Sequence, residues 1–183
     1  MNLANRITFI RICLIPVFLI LLYLLPAGAA FFVASLVFII AAATDGLDGY
    51  IARSRHQITT LGKFMDPLAD KLLVAAALIA LVDFQLIAAW IAIVILSREF
   101  IITGLRAVAA DNGVIIAASK MGKFKTVSQI IAIVLILWQN SLWVDFTVTY
   151  VIAQIFVYIA LFFTVYSGVE YIINGRKFLF ANK

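Results

Sequence analysis

An all-α membrane fold, six transmembrane helices with both termini in the cytoplasm, is what this sequence predicts, and three observations predict it. The 183 residues are 66% hydrophobic and 13% charged, with a mean hydropathy of +1.15, well beyond the apolar share of a soluble domain. Six apolar stretches can be cut from the chain, each near the ~20 residues that cross a bilayer. The Lys and Arg residues gather in alternate links, as the positive-inside rule requires of cytoplasmic loops.

The spans run approximately over 7–25, 30–53, 64–82, 86–109, 125–138 with its flanks, and 144–173. The first follows Arg6 and Arg11 and ends at Pro26, a secretory-signal pattern. An uncleaved first span is expected, because more membrane helix and no soluble passenger follows. The links at 26–29, 83–85 and 139–142 hold no Lys or Arg, whereas the amino terminus, the links around 53–63 and 106–125, and the tail from Arg176 hold nearly all of them. In the tail, Asn174 and Gly175 are expected to end the last helix and Arg176 and Lys177 to anchor it. With no repeat or long linker, residues 1–183 read as a single membrane domain.

The net charge of +5 therefore reports topology and an anionic lipid surface, and no nucleic-acid partner is expected. The lone Cys13 lies in an apolar run and reads as an inert buried thiol. The lone His56 reads as a solvated loop residue.

Acids break the hydrocarbon at one place. Residues 44–71 read TDGLDGYIARSRHQITTLGKFMDPLADK and set Asp45, Asp48, Asp66 and Asp70 on the inner ends of the second and third spans. Four unpaired carboxylates near a membrane centre would cost on the order of 10 kcal/mol, so something cationic must offset them. Asp45 and Asp48 are three apart, Asp66 and Asp70 four apart, so each pair shares a helix face, and the short link lets the faces oppose. An all-oxygen cage of this kind suits Mg²⁺ or Mn²⁺, two ions per site, and such sites usually handle phosphoryl groups. Asp48 would lie about 8 Å and Asp45 about 12 Å deeper than Arg53, at or just below headgroup level. Between its ends the outer half of the membrane-crossing region is bare of acids, with Asp83 and Asp145 only at its outer edge, which argues against a cation-conducting path. Gly49, Ala52 and Gly62 beside the acids leave room for a ligand cleft.

Basic residues supply the counterpart. Arg98 lies within the fourth span, and Glu99 and Arg106, seven apart, share a stripe from which Arg98 should point away. A buried arginine there either pairs with an acid or clamps a phosphate. Lys120, Lys123 and Lys125 in the run SKMGKFKT attract anionic lipid or complete an anion pocket with Arg106. Asn5, Thr8 and Arg11, spaced by three, line one side of the first span near the acids.

The pattern D-x-x-D-G-x-x-A-R, eight residues, G-x-x-x-D-x-x-x-D, formed by Asp45, Asp48, Gly49, Ala52, Arg53, Gly62, Asp66 and Asp70, resembles the signature of the CDP-alcohol phosphatidyltransferases. Asn5, Thr8 and Arg11 before Pro16, the SREFIITGLR run and the GKFKT run are most similar to the branch whose acceptor is glycerol 3-phosphate. The resemblance implies a multi-pass homodimer in the inner (cytoplasmic) membrane, its active site facing the cytoplasm, with CDP-diacylglycerol as donor and CMP as leaving group. It implies metal ligation by Asp45, Asp48, Asp66 and Asp70, with Asp70 also the catalytic base. Thr44, Gly49, Ala52, Arg53 and Gly62 would border CDP-diacylglycerol. Thr8, Arg11, Arg98, Arg106, Lys120, Lys123 and Lys125 would hold the acceptor's phosphate. Other acceptors of the family, inositol phosphate, serine or phosphatidylglycerol, stay open.

Overall fold

A computed structural model of the chain describes residues 3–54, 60–111, 119–141 and 146–179, and no strand occurs among them. Six helices follow one another: α1 (Leu3–Leu24), α2 (Ala27–Ser54), α3 (Thr60–Asp83), α4 (Ala89–Asp111), α5 (Lys120–Gln139) and α6 (Phe146–Leu179). Three of them contain stretches long and apolar enough to cross a membrane by composition alone: Asn5–Leu24, Met121–Gln139 and Thr147–Ile173. In α2 the apolar stretch is the shorter Gly28–Thr44, while α3 and α4 carry Asp70, Lys71, Arg98, Glu99 and Arg106 along their length.

The helices run up and down. At one end of the bundle the Tyr23 hydroxyl donates to Asp83 at 2.8 Å, Phe84 meets the rings of Tyr23 and Phe31, and the Trp138 indole donates to Ser35 at 2.9 Å. These contacts join the end of α1, the start of α2 and the ends of α3 and α5. At the other end Arg11 of α1 donates to Thr44 of α2, and the Ser119 backbone N–H at the start of α5 donates to Tyr171 of α6. Among the described residues, Asp70, Arg98, Glu99, Arg106, Lys123 and Lys125 gather toward this second end, around Tyr171.

Packing relies on small residues. Ala34, Ala41, Ala69 and Ala77 are wholly buried alongside Phe18, Phe38, Leu73 and Leu81, which lets backbones approach closely where lipid offers no hydrophobic drive between helices. The outward faces are apolar too, with Ile20, Ile40, Ile79, Ile93 and Phe162 all exposed; Cys13 is exposed as well and not buried as expected, since an apolar run in such a helix can face outward. Helices α1, α2 and α3 pack on one another, α6 packs on α4 and α5, and α2 and α3 join the two groups. Among the described residues α4 and α5 share no close backbone contact, although both border α3 and α6.

Two boundaries differ from expectation. The last helix does not stop at Asn174 and Gly175 but continues to Leu179. Each of those residues costs at most about 1 kcal/mol in a helix interior, which the helix-compatible residues after them tolerate. Likewise α4 continues past Arg106 and α5 begins at Lys120, so the basic residues of that link are helical.

The turn after α3 is closed by a Schellman pair, Leu86 N–H to Leu81 C=O and Gln85 N–H to Val82 C=O, both 2.9 Å. Gln85 holds the left-handed position at φ 58°, which normally favours glycine. Gln85→Gly is therefore expected to stabilise the fold by about 1 kcal/mol, read as a raised melting temperature in detergent. An unchanged or lowered value would show that the Gln85 side chain compensates for its backbone.

Candidate active site

The candidate site lies where α2 ends and α3 begins. Thr44 to Ser54 and Thr60 to Asp70 are helical without a break, and the two helices are in contact. The spacing of the four acids therefore does place each pair along one helical face. The side chains of Asp45, Asp48, Gly49, Ala52, Arg53, Gly62, Asp66 and Lys120 lie outside the described residues. Among the described residues no cluster of three metal-ligating side chains forms.

Asp70 is described, half-buried, and lies where two spaces meet. One is an open cleft of about 380 Å³ between α3, α4, α5 and α6, lined by Asp70, Lys71, Arg98, Arg106, Lys123 and Tyr171 among others. The other is a niche of about 10 Å³, room for one water-sized body, beneath Asp70, Glu99, Lys125, Thr126 and Gln129. The cleft thus begins at the carboxylate and ends among cations.

Four of the expected phosphate ligands come together here. Arg98, Arg106 and Lys123 line the cleft, and Lys125 sits in the niche below it, 3% exposed. Arg98 does not point away from Glu99: its Nη1 donates to Glu99 Oε1 at 3.0 Å, and the same oxygen accepts from Lys125 Nζ. Adjacent positions on a helix diverge by about 100° at Cβ, but two long side chains fold back across that angle. Arg98 Nη2 also donates to Ser167 Oγ at 2.8 Å, and its guanidinium lies 5.6 Å from the centre of the Tyr171 ring.

Thr8 and Arg11 are not brought into this group. Both are buried in α1, which among the described residues packs on α2 and α3 only. Arg11 Nε donates to Thr44 Oγ1 at 3.2 Å, and Thr44 in turn donates to Ala41 C=O at 2.6 Å. A buried guanidinium therefore backs the helix just where Asp45 begins the acidic run.

The sequence reading overlooked Lys71, Ser167 and Tyr171. Ser167 and Tyr171, with Thr164, recur at three- and four-residue intervals and are all buried on one face of α6. A polar stripe inside the longest apolar helix was the signal available.

Comparison with known proteins agrees with this geometry. A family model described as CDP-alcohol phosphatidyltransferase matches residues 1–166. The chain is 48% identical over 182 residues to the CDP-diacylglycerol–glycerol-3-phosphate 3-phosphatidyltransferase of Bacillus subtilis (strain 168), covering 93% of each chain. Proteins of the same name from Haemophilus influenzae and Escherichia coli (strain K12) are 40% and 38% identical to it. The first alignment covers 99% of this chain and 97% of the relative, the second 96% and 95%. Acidic pairs on adjoining helices, a cationic cleft beside the last acid, and similarity running nearly end to end lead to one conclusion: this chain belongs to the CDP-alcohol phosphatidyltransferase family.

Proposed function

We propose that this chain transfers the phosphatidyl group of CDP-diacylglycerol to glycerol 3-phosphate, giving phosphatidylglycerophosphate and CMP. The observation that carries the reading is the cleft running from Asp70 into Lys71, Arg98, Arg106 and Lys123, in a chain whose near full-length relatives bear that activity in their names. A dianionic acceptor suits such a wall, since guanidinium and ammonium groups bind phosphate. A neutral acceptor such as serine makes no use of it. Lys120 would join the cluster from the start of α5.

Asp45, Asp48, Asp66 and Asp70 would hold two Mg²⁺ or Mn²⁺ ions. The fit rests on an all-carboxylate donor set carried by two unbroken, touching helices. When bound, such ions would neutralise the donor's diphosphate and the charge developing on CMP. The chain's own residues do the rest. Asp70 takes the proton of the acceptor hydroxyl as its oxygen bonds to the phosphorus bearing the diacylglycerol and the bond to CMP breaks. Gly49, Ala52, Arg53 and Gly62 border the cytidine and diphosphate. Arg11, through Thr44, steadies the donor side, and Thr8 stands beside it; both serve there and not in the acceptor pocket. The apolar bundle keeps water from the donor.

In this reading all six helices span the inner (cytoplasmic) membrane, the termini and the site face the cytoplasm, and the protein works as a homodimer. The basic links and bare outer links support that orientation.

A panel of radiolabelled acceptors given to purified protein with CDP-diacylglycerol and Mg²⁺ tests the reading. Glycerol 3-phosphate is expected to be incorporated with stoichiometric release of CMP; incorporation of inositol phosphate alone would overturn it. Chelation with EDTA is expected to abolish CMP release, and Mg²⁺ or Mn²⁺ to restore it. Asp45→Asn should lose the activity with helicity retained, by circular dichroism. Persistence of activity after exhaustive chelation would refute the metal assignment.

A further inference from the structure

Arg98 reaches the cleft by lying across α6, and three consecutive contacts on that helix decide where its head rests. Gly168 is the first. A Cβ built there would meet Arg98 Cγ at 3.1 Å and Nε at 4.0 Å, tighter than ordinary contact, so glycine leaves the channel along which the arginine stem runs. Ser167, fully buried, is the second and accepts from Nη2 at 2.8 Å. Tyr171 is the third, its ring 5.6 Å from the guanidinium carbon, within the range of a cation–π contact.

Tyr171 does more than flank the arginine. Its hydroxyl oxygen accepts the Ser119 backbone N–H at 2.7 Å, and Ser119 Oγ accepts the Gly122 N–H at 3.1 Å as the cap of α5. One aromatic side chain thus ties the arginine of α4 to the first turn of the helix carrying Lys123 and Lys125. That tie matters because α4 and α5 share no close backbone contact of their own among the described residues. Meanwhile Arg98 Nε is buried with no acceptor.

We propose that Ser167, Gly168 and Tyr171 are positioning residues for acceptor binding: together they aim the Arg98 guanidinium and set it in register with the lysines of α5, so that one phosphate meets both. The proposal rests on the reading that the cleft takes glycerol 3-phosphate. It assigns to α6, which carries none of the signature acids, a direct part in acceptor affinity.

The test is steady-state kinetics of the full-length protein in mixed micelles, varying glycerol 3-phosphate and CDP-diacylglycerol separately. Gly168→Ala, which pushes the arginine stem out of its channel, is expected to raise KM for glycerol 3-phosphate about tenfold. Tyr171→Phe, which keeps the ring and removes the tie to Ser119, is expected to raise it about threefold. Both should leave kcat and KM for CDP-diacylglycerol within about twofold. Ser167→Ala should behave like Tyr171→Phe, and Ser167→Thr, which keeps the hydroxyl, should restore the parent value. If Gly168→Ala, Tyr171→Phe and Ser167→Ala all keep the parent KM for glycerol 3-phosphate, or lose kcat and thermal stability without changing that KM, the proposal is overturned. Should Gly168→Ala not fold, Tyr171→Phe and the Ser167 pair decide alone. Arg98→Gln separates the two levels of inference. A raised acceptor KM there with silent α6 variants overturns the cradle and keeps the cleft; no change there removes the cleft assignment itself, and the cradle with it.

Discussion

Asp70→Asn is expected to lower phosphatidyl transfer by about a thousandfold or more, within the range by which general base catalysis accelerates such steps. The side chain is half-buried and lines both the niche and the cleft that Lys71, Arg98 and Lys123 also line. Asparagine keeps the volume and loses both the charge and the site for a proton. Because Asp70 is also proposed as a metal ligand, the rate alone does not separate its two roles. Raising the Mg²⁺ concentration does: a lost ligand is partly rescued by mass action, a lost base is not. The expected outcome is a low plateau that excess Mg²⁺ does not lift, with an unaltered melting temperature. Return to parental rate at high Mg²⁺ would leave Asp70 a ligand only.

Helix number and order were legible because long apolar runs bounded by polar links favour helices over exposed backbone. Those features are written locally, and the helices begin and end within a few residues of where the apolar runs do. The unbroken helices that carry the acid pairs were legible for a similar reason, while the side chains of Asp45, Asp48 and Asp66 lie outside the described residues. Extension of α6 through Asn174 and Gly175 was not legible, since residues that favour a stop only bias the backbone and the following residues outweighed them.

Pairing across the bundle was the harder part. Arg98, Glu99 and Lys125 were all visible as charges, but periodicity gives the face of a helix and says nothing of which long side chain folds toward which. Nothing local announces that Ser167 lies against a side chain 69 positions earlier in the chain. Arg11 shows the same limit: its spacing placed it on the correct face of α1, while its partner Thr44 comes from the packing of α1 on α2.

Glu99→Gln is expected to destabilise the protein by about 3–5 kcal/mol, the range for breaking a buried ion pair by removing one partner. A single carboxylate oxygen serves both Arg98 and Lys125, with side-chain exposures of 13% for Arg98, 15% for Glu99 and 4% for Lys125. Removing the charge leaves two cations close together in a poorly solvated site, where the attraction of Asp70 for Lys125 offsets only part of the cost of their burial. The loss should be architectural as well as electrostatic. Glu99 and Lys125 belong to α4 and α5, which share no close backbone contact among the described residues, so their bridge ties two helices that otherwise communicate through α3 and α6. Lys125→Met alone should cost less, since Glu99 then still balances Arg98. In Glu99→Gln/Lys125→Met the repulsion is gone, and stability should recover well above that of Glu99→Gln, giving a coupling in the 0.5–3 kcal/mol range measured for interacting neighbours, as an order of magnitude. Reversible unfolding in mixed micelles, followed by tryptophan fluorescence for all four proteins of the cycle, supplies the comparison. Additive losses would mean that Glu99 and Lys125 do not sense each other, and that α4 is held to the bundle by packing against α3 and α6 alone.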